Sequence, residues 1–394
     1  MVEQHDLIQH LGSLQKRLQE DKVPIGLFLG AGCPGAIRDG CGEPLVPDVQ
    51  GLTSRCVDAA KGTDDCNKPV AKLLAKLKSD GEDSPNIERM LSEIRGILQV
   101  VGTGSFRGLT RAELEILERR ICDEIVDVVS RSLPDKGTPY HRAASWIGDT
   151  DRAEAVEIFT PNYDLLMEQA LEEARVPFFD GFAGSRRAFF DPYAIENEPL
   201  PSRWVRLWKL HGSVNWYADE GGAIIRTAEQ PAGYRCRLIH PSHLKYEESR
   251  TMPFFVMIDR LRRFLSRPSA ALVMCGYSFR DDHLNAAIAD GLEANLGAVA
   301  FAIMYGRMAE YPIAEVVAKR RSNLVVLARD GGVIGGTEGA WLRRPPDDSP
   351  LWGGAVEWIT KETKNGTQEW PELRLGDFAQ FGEFLSNLAG AERE

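Results

Sequence analysis

The sequence predicts an α/β chain on a parallel, doubly wound sheet, with a helical insertion and no zinc module. Three observations carry this. Short apolar runs alternate with helix-period segments between residues 155 and 327, the βαβα order of a parallel sheet. The earliest apolar run, in the stretch VPIGLFLGAG at 23–32, ends in glycines, as a buried parallel strand turning into a loop does. The seven cysteines form no C-x-x-C pair, so the closely paired thiolates of a tetracysteine zinc site are missing.

A chain of 394 residues has room for two or three domains, or one large domain with insertions. Its 43% hydrophobic and 27% charged residues are a globular composition, which excludes a disordered or fibrous chain. Lys plus Arg is 47 against 58 Asp plus Glu, a net charge of −11 that repels phosphate backbones, so nucleic acid is not the expected direct partner. An odd cysteine count in a long chain argues against a disulfide framework, and no metal is expected. The N-terminal stretch is amphipathic and charged, unlike a signal peptide. The most apolar stretch, 297–306, is about half the length that spans a bilayer. A reduced, cytoplasmic protein without a membrane segment is the expectation.

Taken in order, Leu7, Leu11, Leu14 and Leu18 form one helix face. Residues 40–68 are rich in Gly, Asp and Pro and are expected to be an irregular loop. Residues 85–133 carry two amphipathic helical patterns, the second opened by a T-x-x-E capping box at Thr110–Glu113. Strands are expected at 155–159, 205–210, 270–275, 299–305 and 324–327, with helices at 163–175, 253–265, 281–293 and 312–321 between them. Residues 217–250 are expected to be a polar loop, 331–375 irregular, and 378–388 a closing helix. This divides the chain into a main domain (1–39 and 136–330), a loop-plus-helix insertion (40–135) and a C-terminal segment (331–394). Trp341, Trp352, Trp358 and Trp370 make that last segment a candidate assembly contact.

Four strand ends carry the chemistry. Gly30-Ala31-Gly32-Cys33-Pro34-Gly35 is a G-x-G-x-x-G after a strand, where glycines admit a pyrophosphate to the backbone and a following helix N-terminus supplies N–H donors. A tight turn is the alternative. The second strand ending in an acidic residue, which dehydrogenases place about 20 residues on, is missing, so hydride transfer is disfavoured. Thr160, Asn162 and Asp164 crowd the next strand end, although one of them would serve as a helix cap. His211, before Gly212 and Ser213, is positioned as a general base, with a structural histidine as the alternative. Gly276 and Ser278 end a later strand, followed by Asp281, Asp282 and His283, whose carboxylates would serve a helix N-terminus. Together these point to one crevice and a nucleotide-like ligand.

In this order, GAG at 30–32, Pro47-Asp48, TPNYD at 160–164, KLHGS at 209–213 and GYSFRDDH at 276–283 resemble the sirtuin-like superfamily. They are similar to its divergent bacterial antiphage-defence branch, closest to the sirtuin-like subunit that works with a HerA-type ATPase. Asn86-Ile87-Glu88 and the run Leu375 to Phe378 fit that branch as well. The resemblance implies a Rossmann-like domain with NAD as substrate. It assigns Asn162, Asp164 and His211 to catalysis, with Asn162 orienting the ribose or the attacking water. It assigns Gly30, Ala31, Gly32, Cys33, Asp48, Thr160, Gly212, Gly276 and Ser278 to NAD binding. The absent zinc module makes plain cleavage of the nicotinamide–ribose bond the expected reaction rather than deacylation. The implied setting is a homo-oligomer, partnered by a HerA-type hexameric ATPase through which any DNA contact passes. Two other readings stay open: a silent NAD or ADP-ribose sensor or scaffold, and a nuclease in the assembled complex. The second rests on the basic stretch Arg260, Arg262, Arg263 and Arg267 alone, for which a solvated face is the favoured reading.

Overall fold

The computed structural model describes residues 3–197, 200–218, 223–229, 231, 235–238, 253–344, 354–363 and 366–391. Six short strands form the parallel heart of a ten-stranded sheet: β1 (Ile25–Leu29), β2 (Glu157–Thr160), β3 (Val205–Lys209), β4 (Ala271–Cys275), β5 (Val299–Ile303) and β6 (Leu324–Leu327). Their spatial order is β3-β2-β1-β4-β5-β6, and each neighbouring pair is parallel. The chain therefore starts in the middle, winds one way through β2 and β3, returns, and winds the other way from β4. That order is the doubly wound arrangement, whose switch point lies between β1 and β4.

The period-2 alternation of the strands sorts their side chains into two cores. Ile25, Leu27, Leu29, Ile158, Leu207, Val273 and Phe301 face the helices Leu7–Gln19, Pro139–Asp149, Leu166–Glu173 and Phe378–Ala391. Phe28, Phe159, Trp208, Leu272, Met274 and Ala300 face Phe254–Leu265, Asp282–Ala294 and Pro312–Arg320. With both faces covered, the strands are apolar throughout, as the sequence runs require. Buried charges interrupt them at Glu157 and at Lys209, the last residue of β3. Glu157 is satisfied by the Trp208 indole N–H at 2.7 Å and the Arg267 guanidinium at 3.0 Å.

The insertion folds around a third core. The expectation of an irregular loop over 40–68 is corrected: Val49–Lys61 and Asp64–Ser79 are helices, packed on Ile87–Val100 and Arg111–Val129. The Gly- and Pro-rich text ends at Asp48, whose carboxylate accepts from the Gly51 N–H at 2.8 Å and caps the first of them. Cys56, Ala60 and Cys66 serve there as small apolar core residues, a weak helical signal by eye. Val214 joins this core, with Tyr163 and Leu165 against it, so the insertion abuts the ends of β2 and β3.

Two further expectations change. Residues 331–375 are not irregular. Gly331–Ile334 continues the main sheet antiparallel to β6, Thr337–Trp341 pairs antiparallel to Gly331–Ile334, and Gln4–His5 pairs parallel to Thr337–Trp341. Val356–Thr363 and Gly366–Leu373 form a separate hairpin. Glycine disguised this strand pattern: a Cβ on Gly332 would stand 2.4 Å from the Val326 carbonyl oxygen. The polar stretch 217–250 contains part of a five-stranded antiparallel sheet made of Phe182–Ala183, Ala188–Phe190, Gly212–Ala218, Ile224–Arg226 and Arg235–Leu238. Residues 239–250 of that stretch, including His240 and His243, lie outside the described residues.

Two of the four arginines in the basic stretch 260–267 are held in close ion pairs. Arg263 pairs with Asp259 and Glu196, Arg267 with Glu154 and Glu157, and Arg260 donates to the Ile195 carbonyl. Among the described residues no helix is long and apolar enough to cross a membrane.

The C-terminal helix Phe378–Ala391 lies against Pro139–Asp149, with Phe378, Phe381 and Phe384 fully buried. Phe381→Ala is therefore expected to cost about 3–5 kcal/mol of unfolding free energy, read by denaturant titration. A cost below about 1 kcal/mol would mean that this helix is a detachable appendage.

Candidate functional site

The switch point is built from backbone. The Gly30 N–H donates to the Cys275 carbonyl at 2.9 Å, and the Gly32 N–H to the Gly276 carbonyl at 2.9 Å. The loops after β1 and β4 are thereby held against each other. The contact leaves no room for side chains: a Cβ on Gly30 would lie 2.3 Å from the Gly276 oxygen, and one on Gly276 2.7 Å from the Cys33 nitrogen. Gly276 also has φ +68°, in the left-handed region that favours glycine.

This accounts for part of the G-x-G-x-x-G differently from the expectation. No α-helix follows the loop. Only a single 3-10 turn, Pro34–Ala36, comes before Val49, so a helix N-terminus is not what this loop offers an anion. The Gly30, Gly32 and Cys33 N–H groups are all consumed internally, the last by the Gly30 carbonyl at 3.0 Å. The Ala31 N–H, on an exposed residue, has no partner among the described residues. Cys33 turns inward and its thiol donates to the Cys275 carbonyl at 3.3 Å, with burial pushing its pKa well up. It is a packing residue at the base of the loop and lends no nucleophile.

The end of β2 is tied to the same loop. The Thr160 hydroxyl donates to the Leu29 carbonyl at 2.7 Å and accepts from the Asn162 N–H at 3.1 Å. The Asn162 side-chain amide donates to the Gly30 carbonyl at 3.0 Å, which leaves its Oδ1 without a partner among the described residues. Thr160 is thus a buried brace, while Asn162 is half-buried with an acceptor to offer. The helix expected from Tyr163 begins at Leu166, and the Leu166 N–H donates to the Asp164 carboxylate at 3.1 Å.

Asp164 is deep in the structure. Burial raises its pKa, against the lowering effect of Lys209. Lys209, at the end of β3, donates to the Asp164 carbonyl and pairs with Glu168 at 3.2 Å, all three being buried or nearly so. Tyr140, also fully buried, has its hydroxyl pKa raised first by burial and then by Asp164. Asp164 therefore belongs to a buried polar cluster beneath the crevice, which braces β2 against β3.

His211 lies one residue past Leu210, whose N–H donates to the Thr160 carbonyl at 2.8 Å, so His211 and Asn162 stand on adjacent strand ends. Gly212 turns the chain with φ +90° into the antiparallel sheet, and the Val214 N–H binds the Tyr163 carbonyl at 3.0 Å. The His211 Nε2 is 3.1 Å from the Asp281 carboxylate. Ser278 is exposed on the β4 loop, next to Phe279.

Asp48 is an exposed helix cap, as described above. The structure brings the other assigned residues to the carboxyl ends of β1, β2, β3 and β4, the side on which open α/β sheets bind ligands. Sequence reasoning missed the partnership of Asp281 with His211, and the roles of Lys209, Glu168 and Asn285. A cavity of about 320 Å³, lined by Gly148, Asp149, Arg152, Val156 and Val205, lies at the opposite, amino end of β2 and β3. Among the described residues no three His, Cys, Asp or Glu side chains converge as metal ligands do.

These strand ends fall largely within a stretch that carries a known signature. Residues 156–325 match the SIR2-like domain. The SIR2-like stretch contains Asn162, Asp164, His211 and Gly276–His283, whereas the glycine loop at 30–35 precedes it. Comparison with curated proteins gives no match. Among solved structures the chain is similar to a Sir2 homologue in complex with NAD, at 14% identity and TM-score 0.38, over 79% of this chain and 88% of that one. It is also similar to a structure on the mechanism and regulation of Sir2 enzymes, at 13% identity and TM-score 0.36, over 77% and 89%. Superpositions this loose carry no residue-level correspondence.

The two glycines of the loop are expected to respond oppositely. Gly30→Ala forces a Cβ into backbone and should cost about 1–3 kcal/mol. Gly35→Ala, with nothing within 4 Å of the new Cβ, should stay within about 0.5 kcal/mol. Thermal melts of both variants decide this, and equal stability would contradict the packing described.

Proposed function

We propose that this chain is an NAD glycohydrolase, cleaving NAD to nicotinamide and ADP-ribose at the crevice between β1 and β4. The observation that carries the reading is the meeting of two glycine loops, Asn162 and His211 at the switch point of a chain with a SIR2-like stretch. The residues present fit such a substrate. The loops are thin enough to admit a pyrophosphate to the backbone, and the exposed Ala31 N–H is a donor for it. The Oδ1 of Asn162, unpartnered among the described residues, accepts from a ribose hydroxyl or a water. His211, beside it, is the base.

The chemistry asks little more of the protein. The bond between the ribose anomeric carbon and the pyridinium nitrogen breaks with its electron pair going to nitrogen, which neutralises the nicotinamide. A water oxygen bonds to the same carbon, and its proton passes to His211 and then to solvent. Positioning of that water and desolvation of the ribose supply the rate. In this reading the enzyme is an effector of bacterial antiphage defence, acting by NAD depletion in the cytoplasm. It works as a homo-oligomer with a HerA-type hexameric ATPase, which mediates contact with DNA. The alternative, a silent NAD or ADP-ribose sensor or scaffold, draws on one observation: three of the loop's N–H groups are already spent inside the protein.

Nicotinamide release from NAD, measured for the purified chain with and without the ring ATPase and DNA, tests both readings. Asn162→Ala and His211→Ala should each lower it by about 100-fold or more, with the circular dichroism spectrum unchanged. Asn162→Ala also loses one loop hydrogen bond, worth about 1 kcal/mol. Undiminished turnover in both variants excludes these residues as the machinery. NAD that binds and persists under every condition selects the sensor.

A further inference from the structure

We infer that Asp281 is the positioning residue of His211: its carboxylate fixes the ring's tautomer and holds the imidazolium formed when His211 takes up a proton. This rests on the reading of His211 as the base of NAD cleavage. The two oxygens of Asp281 are divided between two tasks. Oδ1 accepts from the N–H groups of His283 and Leu284, at 3.0 and 3.2 Å, and caps the helix Asp282–Ala294. Oδ2 stands 3.1 Å from the His211 Nε2, with the two side chains only 10% and 7% exposed. A cap needs one oxygen, and the second is turned across the crevice onto a different strand end.

The chemistry of the pair follows from its donors. An ionised carboxylate only accepts, so the His211 nitrogen facing it carries the hydrogen. Nδ1 then holds the lone pair, and a proton taken from water enters there. The positive charge that develops is met by a carboxylate nearly out of solvent, where its attraction is screened little. Lys209, on the same strand end, is held by Glu168 and the Asp164 carbonyl, and Asp282 is on the exposed side of the helix start. Tyr277, close to Asp281, has its hydroxyl pKa raised by burial and stays neutral.

The loop that presents Asp281 is fixed beyond the needs of a cap. Phe279, fully buried, has φ +59°, a conformation that costs a bulky residue free energy. It is held by the buried Asn285, whose side-chain N–H donates to the Phe279 carbonyl at 2.7 Å and whose Oδ1 accepts from the Tyr277 hydroxyl at 2.8 Å. The same hydroxyl lies 3.2 Å from the Asp281 carbonyl. Strain held in place by a satisfied buried network is what fixes one side chain toward another.

Asp281→Asn and Asp281→Ser test this, because both residues still cap a helix while lacking the charge. The readout independent of turnover is the nitrogen resonances of His211 in histidine-labelled full-length protein, assigned with His211→Gln. In wild type the hydrogen should reside on Nε2. In either variant the proton affinity of His211 should fall about tenfold and hydrogen should appear on Nδ1. Identical His211 titration and tautomer in wild type and variants overturns the inference, whether or not the chain cleaves NAD. In a chain that does release nicotinamide, the Asn variant should lose about 100-fold in kcat with KM within about twofold, and Asp281→Glu should recover part of it. An unchanged kcat overturns the inference too. Absence of nicotinamide release by wild type defeats the glycohydrolase reading instead, and the ring resonances still decide the pairing.

Discussion

The closest constraint in the molecule is the contact between the loops that leave β1 and β4. Two backbone hydrogen bonds of 2.9 Å, from Gly30 to Cys275 and from Gly32 to Gly276, join strands that are adjacent in space and almost 250 residues apart in sequence. Neither Gly30 nor Gly276 has space for a Cβ. Because the strand order reverses between these strands, every group placed at the crevice is positioned relative to this contact. Thr160 and Asn162 brace β2 onto the β1 side of it, and the β4 loop carries Asp281 from the other side to His211.

A division of labour follows from burial. The groups at the base of the crevice are spent on holding the strand ends together: Cys33 on the Cys275 carbonyl, Thr160 on the Leu29 carbonyl, Lys209 on Glu168 and Asp164. Those toward the opening keep a valence unused among the described residues, as the Ala31 N–H and the Asn162 Oδ1 do. A buried polar group must be paired or cost free energy, so the base is closed by internal bonds while the rim is left for a ligand. The helical insertion adds to the same region from outside, since its core includes Val214 and is flanked by Tyr163 and Leu165. The insertion therefore packs directly on the strand ends that carry Asn162 and His211.

Much of this was legible from residue order. Parallel strands buried on both faces are written as short apolar runs, and β6 is found where its run stands, at Leu324–Leu327. The signatures at 160–164, 209–213 and 276–283 each fall at a strand end, because a polar cluster after an apolar run has nowhere else to go. The 40–68 stretch failed as a reading because cysteine and alanine did the work of larger apolar residues, and the 331–375 stretch because glycine replaced the side chains that mark a strand. Asp48 shows the same ambiguity at a single residue: a carboxylate before a helix caps it whatever else a motif implies.

The sequence by itself determined the six parallel strands, the doubly wound class and the polar strand ends, since these depend on local periodicity and on the few residue types that tolerate such turns. Only the tertiary structure decided which of those polar groups remain available. A hydrogen-bond valence is used up by whichever donor or acceptor the fold brings near, and those neighbours are remote in sequence. Asp281 reads as a helix cap in the chain and becomes the partner of a histidine 70 positions earlier only because β3 and the β4 loop end at the same crevice. Gly30 reads as a phosphate loop and proves first to be the place where two backbones touch.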